Sequence, residues 1–135
     1  MHIPKILEIE IARGFCTASC PMCSIDQTKY NKSVMSFDKL KTIIDNFGKD
    51  IKHIDKIIFS GLGEVLLDKK FEKKKEYVKS KGVKYIAVPS NASLLKENIS
   101  LKLLNAGLSE IIIGMDSMKK KVFEEIRKDL IFEEV

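Results

Sequence analysis

Hydrophobic and polar positions along the chain repeat first with the period of a strand and then with the period of a helix. Residues 5–12 alternate leucine and isoleucine with glutamate, which is typical of a β-strand with one buried face. The next apolar positions are Leu40, Ile43, Ile44 and Phe47, at the i, i+3, i+4, i+7 spacing of an amphipathic helix. The pattern therefore predicts a strand followed by a helix at the start of the chain.

The same strand–helix pair is predicted three more times. Strands are expected over residues 55–61, 83–91 and 109–117, and helices over residues 68–81, 97–107 and 120–128. Ser36 is expected to cap the first helix, Gly48 to end it, and Pro89 to close the third strand. Strands that alternate with helices of this length indicate βαβ units around a parallel sheet, and residues 1–135 are the length of one such α/β domain.

Four unusual loops follow the four predicted strands. The stretch GFCTASCPMCSI follows the first strand, SGLGEVLL the second, PSNASLL the third and MDSMKK the fourth. Because ligands bind at the carboxyl ends of the strands in parallel α/β sheets, these loops are expected to meet on one rim. The sequence therefore predicts a single site built from all four loops.

The three cysteines of the chain, Cys16, Cys20 and Cys23, all lie in the first of these loops. Three thiols cannot all pair as disulfides, whereas three thiolates suit a metal or a cluster with one position left open. Structural zinc sites have four ligands, and the other candidates, His2 and His53, form no paired-ligand pattern. A [4Fe–4S] cluster is therefore favoured over the two alternatives, which are structural zinc and plain buried thiols.

Charge adds little to this interpretation. The formal net charge is +5, and the positive charge is nearly all lysine, densest in DKKFEKKKEYVKSKG of the second predicted helix. The only arginines are Arg13 and Arg127, and neither is among these lysines, so a solvated helix face is favoured over a nucleic-acid surface. Lys74 and Lys75 fall where apolar residues normally face a sheet, and this helix is therefore expected to be the least stable.

Composition favours a soluble globular domain, with 44% hydrophobic and 32% charged residues. No apolar run approaches the roughly 18 residues of a membrane span, so no membrane partner is expected. Glu8 and Glu10 interrupt the N-terminal stretch MHIPKILEIEIARG, which is unlike a signal peptide. We therefore expect a reducing cytoplasm, where clustered cysteines more often bind metal or act in catalysis than form disulfides.

The motifs in the four loops resemble those of the radical S-adenosylmethionine (SAM) enzymes, over essentially the whole chain. CTASCPMC matches the C-x3-C-x2-C signature of that superfamily, and SGLGEVLL is similar to its glycine-rich GGEP loop. PSNASLL resembles the TNG-x-LL segment, and IIIGMDS resembles the SLDS strand. The resemblance implies the N-terminal part of a radical SAM core, a partial (β/α) barrel of the TIM type with about four parallel βα units.

The resemblance also implies a reaction and its cofactors. Three thiolates would hold a [4Fe–4S] cluster whose fourth iron binds SAM, and reductive cleavage of SAM would give a 5′-deoxyadenosyl radical that abstracts hydrogen from the substrate. A flavodoxin or ferredoxin would supply the electron. The forms PMC and GLGE resemble members that modify peptides or mature cofactors, so the substrate is expected to be a peptide or a small cofactor precursor.

Several residues receive roles from the same resemblance. Gly61 and Gly63 would let the backbone approach SAM closely, and Glu64 would accept a hydrogen bond from the methionyl ammonium. An exposed surface turn is the alternative for this loop. Met22 stands where the family usually has an aromatic residue, and it could pack on the adenine ring.

Five more polar residues have two interpretations each. Asn91 could reach SAM or substrate, or cap a turn. Asp116 and Ser117 could contact the SAM ribose, or cap the fourth helix. Glu8 and Glu10 lie on the strand face opposite the apolar one, and they could line a polar substrate cavity or face solvent.

Four βα units are fewer than a complete barrel requires. A full (β/α)₈ barrel takes about 250 residues, and the partial barrel of the resembling family has two more units than this chain. The chain is therefore expected to be incomplete, and the fourth strand to favour self-association or a completing partner chain. The alternative function is a non-catalytic module stabilised by zinc or an iron–sulfur cluster, or an inactive truncated remnant.

Overall fold

A computed structural model describes residues 3–25 and 31–135 of the protein. The strands are β1 (Ile6–Glu10), β2 (Ala12–Arg13), β3 (Ser33–Val34), β4 (Lys56–Ser60), β5 (Tyr85–Ser90) and β6 (Glu110–Ile113). Strands β1, β4, β5 and β6 form one parallel sheet in that order, and β2 pairs antiparallel with β3. The predicted α/β fold with four parallel strands is confirmed, and it is an open sheet, similar to a partial barrel, with no closure within the described residues.

The helices follow the parallel strands as predicted. They are α1 (Phe37–Asn46), α2 (Phe71–Ser80), α3 (Glu97–Asn105) and α4 (Lys120–Ile126), with 3₁₀ turns at Gly48–His53, Val65–Leu67 and Phe132–Glu134. Ser36 caps α1 as expected, because its side chain accepts a hydrogen bond from Lys39 N. Within the described ranges, no helix has the length and apolar character to cross a membrane.

The core lies between one face of the sheet and the helices. Ile57 and Phe59 of β4 and Ile86 of β5 are fully buried, and Leu40 and Ile44 of α1 pack into the same cluster. Leu40 and Ile44 are among the apolar positions whose spacing predicted the first helix. Burial of one face therefore fixes the strand register, because a slip by one residue would move every apolar side chain to the other face.

The register of the sheet brings the ends of its strands together. Glu10 pairs with Ser60, and Ser90 pairs with Ile113, so neighbouring strands end at the same level. The loops that follow β1, β4, β5 and β6 consequently leave the sheet at one edge. This edge is the predicted rim.

The third predicted strand differs from its expected end. Pro89 does not close β5 but lies inside it, paired with Ile112 of β6. Strand β4 pairs only with Tyr85–Ala87, so the missing N–H of Pro89 removes no bond to β4.

Two lysines of α2 are buried at the sheet-facing positions that the sequence indicated, whereas Glu72, Lys73 and Glu76 of the same helix are exposed. Lys74 is 1% exposed and Lys75 is fully buried. The Lys74 ammonium lies 2.5 Å from an Asp68 carboxylate oxygen and also donates to the carbonyl of Met35. Lys75 donates to the carbonyl of Leu103 in the last turn of α3, at 2.6 Å. The two ammonium groups therefore tie α2 to its neighbours where apolar side chains were expected.

The buried ammonium of Lys75 should make stability depend on pH. Burial lowers the pKa of Lys75 from 10.5 to about 8, against the opposing effect of Glu72 and Glu76. Between these values the unfolded chain binds more protons than the folded one, so the free energy of unfolding should rise with pH in this window. Urea denaturation at several pH values measures this rise. In the Lys75→Met variant the free energy of unfolding should rise less between pH 8 and pH 10 than in the unchanged protein.

The matched control for that experiment is the exposed Lys121 of α4. Lys121→Met removes the same charge from a solvated position, and its stability curve should stay parallel to that of the unchanged protein from pH 8 to pH 10. Parallel curves for Lys75→Met as well would contradict the prediction.

Candidate functional site

A cavity of about 410 Å³ opens at the rim, where the carboxyl ends of the strands meet. It is lined by side chains or backbone from the loops that follow β1, β4, β5 and β6. Asp116, Ser117, Glu8 and Glu10 do not line it, and the other predicted site residues do, namely Cys16, Cys20, Cys23, Met22, Gly61, Gly63, Glu64 and Asn91. The structure therefore brings these residues to one place.

The three cysteines are free thiols that face this cavity. Cys20 is buried, and Cys16 and Cys23 are half-buried. Burial raises the pKa of the Cys20 thiol, while the guanidinium of Arg127 beside it acts in the opposite direction. A backbone hydrogen bond of 2.9 Å from Cys23 N to Cys20 O closes a tight turn that holds the last two thiols near each other.

Within residues 3–25 and 31–135, the structure contains no group of three or more histidine, cysteine, aspartate or glutamate side chains that could hold a single metal ion. The irons of a [4Fe–4S] cluster occupy separate corners, and each takes its own thiolate, so a cluster does not require the sulfurs to converge on one point. Of the two histidines weighed as zinc ligands, His2 lies outside the described residues. His53 precedes β4 and so lies toward the opposite edge of the sheet.

The glycine-rich loop after β4 packs tightly on the cysteine-bearing loop. Gly61 has a φ of +145°, and a Cβ there would lie 2.2 Å from the carbonyl oxygen of Ala12. A Cβ at Gly63 would lie 2.7 Å from the carbonyl oxygen of Phe15, which accepts a 2.7 Å hydrogen bond from Glu64 N. Both glycines are therefore required for the close approach of two protein loops, as well as exposing backbone to the cavity.

Glu64 is a buried carboxylate, only 2% exposed, and not part of an exposed surface turn. Its Oε1 accepts hydrogen bonds from Leu66 N at 3.1 Å and from Ser90 Oγ at 3.0 Å. Its Oε2 accepts from Asn91 N at 2.9 Å. A carboxylate has about four acceptor positions, so one position on Oε2 remains beside the cavity. Glu64 thus joins the loops after β4 and β5 and still offers an acceptor.

The side chain of Asn91 contacts the cysteine-bearing loop. Its Nδ2 lies 2.9 Å from Thr17 Oγ1 and 3.6 Å from Cys16 Sγ. Its Oδ1 accepts from the backbone N and from the Oγ of Ser93. Asn91 therefore connects the loop after β5 to the first cysteine, in addition to capping its own turn.

Asp116 pairs with Arg127, a residue that the sequence analysis did not assign to the site. The Arg127 guanidinium donates to Asp116, lies against the backbone of Gly114 and is close to the Cys20 thiol. Arg127 follows α4, and the only feature of the sequence that could have indicated it is that arginine is rare among the many lysines.

Ser117 accepts a hydrogen bond from Lys119 N at 3.0 Å just before α4. The contact of Asp116 and Ser117 with a ribose stays a prediction.

Glu8 and Glu10 lie on the sheet face opposite the helices. Glu8 is exposed and accepts a 2.5 Å hydrogen bond from Ser60 Oγ. Glu10 pairs with Arg13, and this hydrogen bond holds the pKa of the Glu10 carboxyl below its usual range. Glu10 also accepts from Leu62 N at 3.1 Å, so it helps to fix the glycine-rich loop.

Fold and site together define an α/β protein of the partial-barrel class, with three thiols at the carboxyl ends of its parallel strands. The family model described as Radical SAM superfamily matches residues 12–135. The chain belongs to the radical SAM superfamily, as its motifs predicted.

A curated relative is the probable GTP 3′,8-cyclase of Methanothermobacter marburgensis, which is 30% identical over 132 residues. The match covers 96% of this chain and 42% of that protein. The chain therefore spans less than half the length of this relative.

Two solved structures share the fold. The crystal structure of BtrN in complex with AdoMet and 2-DOIA aligns with a TM-score of 0.75 and 18% identity, covering 98% of this chain and 54% of BtrN. The structure of BtrN in an open conformation aligns with a TM-score of 0.70 and 17% identity, covering 90% of this chain and 55% of that one.

Proposed function

We propose that this chain is the cofactor-binding part of a radical SAM enzyme that binds a [4Fe–4S] cluster and SAM in the rim cavity. The observation that carries the proposal is the convergence of three free thiols, a glycine-rich loop and a buried carboxylate on one cavity. When bound, the cluster supplies an electron that cleaves SAM to a 5′-deoxyadenosyl radical, which abstracts hydrogen from the substrate.

The residues of the cavity suit a cluster of this kind. Cys16, Cys20 and Cys23 supply three thiolates, the ligand that iron–sulfur clusters prefer, and leave one iron for another ligand. The guanidinium of Arg127 lies beside the buried Cys20 thiol, and its positive charge favours the thiolate form that a cluster requires.

Glu64 and the glycine-rich loop would hold the methionyl end of SAM. The remaining acceptor position on Glu64 Oε2 and the exposed backbone at Gly61 and Gly63 border the same cavity as the thiols. Met22 is 56% exposed at the cavity wall, so its thioether is accessible for packing on an adenine face. The role of each of these residues is part of the proposal.

Replacing Glu64 by glutamine should weaken SAM binding and leave the cluster intact. The glutamine amide replaces one of the two carboxylate oxygens by an N–H donor. In one orientation this donor faces Leu66 N and Ser90 Oγ, and in the other it faces Asn91 N. The amide is also neutral, so it no longer offers a charged acceptor to the methionyl ammonium. Loss of that contact costs about 1–3 kcal/mol, which corresponds to roughly a 5- to 150-fold loss of affinity. Isothermal titration with SAM under anaerobic conditions measures the change.

The matched control is Glu125→Gln, which makes the same substitution at an exposed position of α4. It should bind SAM as the unchanged protein does. If Glu64→Gln also keeps its full affinity, Glu64 does not contact SAM, and its role is confined to joining the two loops.

Substrate and partners follow from the same proposal. The substrate is a peptide or a small molecule, the electron donor is of the flavodoxin or ferredoxin type, and the reaction takes place in the cytoplasm. The GTP 3′,8-cyclase relative favours a small molecule, but it matches this chain over only 42% of its own length. Anaerobic binding titrations of the reconstituted protein with GTP and with candidate peptides would distinguish the two substrate classes without requiring SAM cleavage.

The free edge of the sheet supports a further part of the proposal. Strand β6 pairs with β5 on one side only within the described residues. Ile112 and Ile113 are 43% and 47% exposed, so this edge offers both backbone groups and apolar side chains. We expect further barrel strands, a completing partner or a second copy to cover it, and SAM cleavage by this chain alone to be poor.

Anaerobic reconstitution with iron and sulfide tests the proposal as a whole. The expected result is about four irons per chain, the visible absorbance of a [4Fe–4S] cluster, and an EPR signal of the reduced cluster that changes when SAM is added. Stoichiometric zinc with no uptake of iron would instead support the second candidate, a small module stabilised by zinc.

A further inference from the structure

The side chain of Asn91 uses its full hydrogen-bonding capacity inside the protein. A carboxamide has two N–H donors and two acceptor positions. The donors go to Thr17 Oγ1 at 2.9 Å and Cys16 Sγ at 3.6 Å. The acceptor positions take Ser93 N at 3.1 Å and Ser93 Oγ at 2.8 Å. No position is left on this side chain for SAM or for a substrate.

The network around Asn91 is closed and partly buried. Asn91 is 7% exposed, and Thr17 and Ser93 are joined directly by a 2.7 Å hydrogen bond between their hydroxyls. The three side chains therefore form a ring of polar contacts between two loops. Such a ring fixes the orientation of the amide, since a flipped amide would place donors against donors at Ser93 N.

The backbone around Asn91 is held as firmly as the side chain. Asn91 N donates to the buried carboxylate of Glu64 at 2.9 Å. The next residue, Ala92, has a φ of 65°, a left-handed conformation that costs a non-glycine residue about 1 kcal/mol or more. A 3.0 Å hydrogen bond from Ala92 N to Ser90 Oγ helps to hold this turn. The turn therefore aims the Asn91 amide at the cysteine-bearing loop.

We propose that Asn91 is a positioning residue for the cluster, which donates an N–H···S hydrogen bond to Cys16 and so raises the reduction potential of the cluster. This inference rests on the proposed function, because it requires Cys16 to be a cluster ligand. Reduction adds negative charge that is shared by the cysteine sulfurs, and a donor at a sulfur stabilises that charge. A partner of this kind also fixes the ligand side chain in place.

Redox titration of the reconstituted protein, followed by EPR, tests the inference. Asn91→Ala should shift the midpoint potential to more negative values, because the donor to Cys16 is lost. It should also accelerate loss of iron to a chelator, by roughly 10- to 100-fold if the effect resembles that of other groups that orient metal ligands. Asn105→Ala makes the same substitution at an exposed position of α3 and leaves the contact from Asn91 to Cys16 in place, so its potential should match that of the unchanged protein.

A second variant guards against a general loss of structure in Asn91→Ala. Asn91→Asp keeps the oxygen that accepts from Ser93 but replaces the donor by a carboxylate oxygen, so the potential should fall further. Asn105→Asp adds the same charge at an exposed position of α3 and should change the potential little.

Three results would overturn the inference. They are an unchanged potential in both Asn91 variants, a fall in Asn105→Ala equal to that in Asn91→Ala, and a fall in Asn105→Asp equal to that in Asn91→Asp. Failure of the unchanged protein to take up any cluster would instead refute the proposed function, and the two failures are therefore distinguishable.

Discussion

Alanine at Cys16, Cys20 and Cys23 together is expected to abolish the binding of iron and sulfide. These are the only thiols of the chain, and all three border the rim cavity. Without thiolate ligands no corner of a cluster can be held by this loop. The visible absorbance and the iron content after anaerobic reconstitution should both fall to the level of a protein-free sample.

Single cysteine variants refine this experiment. Each of them leaves two thiolates and should give partial, unstable uptake of iron, because a cluster with two protein ligands is easily lost. Ser24→Ala serves as the control, since it changes an exposed residue of the same loop and keeps every thiol. A triple alanine variant that retains the full absorbance would show that the three cysteines do not bind the cluster.

The rim of the sheet could be predicted from the sequence because it depends on period and order alone. Alternating apolar residues define the parallel strands, and the direction of parallel strands places every following loop on one edge. No side-chain geometry enters that argument. It therefore located the three cysteines, the glycine-rich loop and Asn91 in one cavity before any distance was known.

The polar contacts within the site could not be predicted in this way. Arg127 reaches Asp116 and Cys20 from the end of α4, and the side chain of Asn91 turns toward Cys16. Both arrangements depend on rotamers and on the path of a loop over a few ångströms. The residues SNAS, which begin at the last residue of β5, could only indicate turn-forming and hydrogen-bonding groups. The partners of Asn91 and Ser93 in the cysteine-bearing loop lie some 75 residues away in sequence.

The second helix shows where reasoning from apolar patterns fails. Lys74 and Lys75 occupy positions that face the core, where an amphipathic helix normally has apolar residues. The apolar pattern alone therefore predicts a weakly packed helix. The chain instead provides each ammonium with an acceptor on a neighbouring segment. Whether α2 is the least stable helix stays a prediction, and the buried ion pair of Lys74 allows a direct measurement of how strongly α2 is held.

Replacing Asp68 by alanine should destabilise the fold by about 3–5 kcal/mol, because it leaves the Lys74 ammonium buried without its counter-charge. The side chains of Lys74 and Asp68 are 1% and 4% exposed, so water cannot replace the lost contact. Met35 O would remain as an acceptor for this ammonium, but it carries no full charge. Urea denaturation followed by circular dichroism should show the loss as a lower midpoint with a similar slope.

Two further proteins decide whether the ion pair is the cause. Asp55→Ala removes an exposed carboxylate, 67% exposed and 3.5 Å from Lys5, and should cost less than about 1 kcal/mol. The double variant Lys74→Met, Asp68→Leu replaces the buried pair by apolar side chains and should recover most of the lost stability, since no buried charge remains. If Asp68→Ala destabilised the protein no more than Asp55→Ala, the Lys74–Asp68 pair would not hold α2 in place. If the double variant were as unstable as Asp68→Ala, the loss would come from the second contact of Asp68, which accepts from Lys70 N at 2.9 Å, and not from the charge of Lys74.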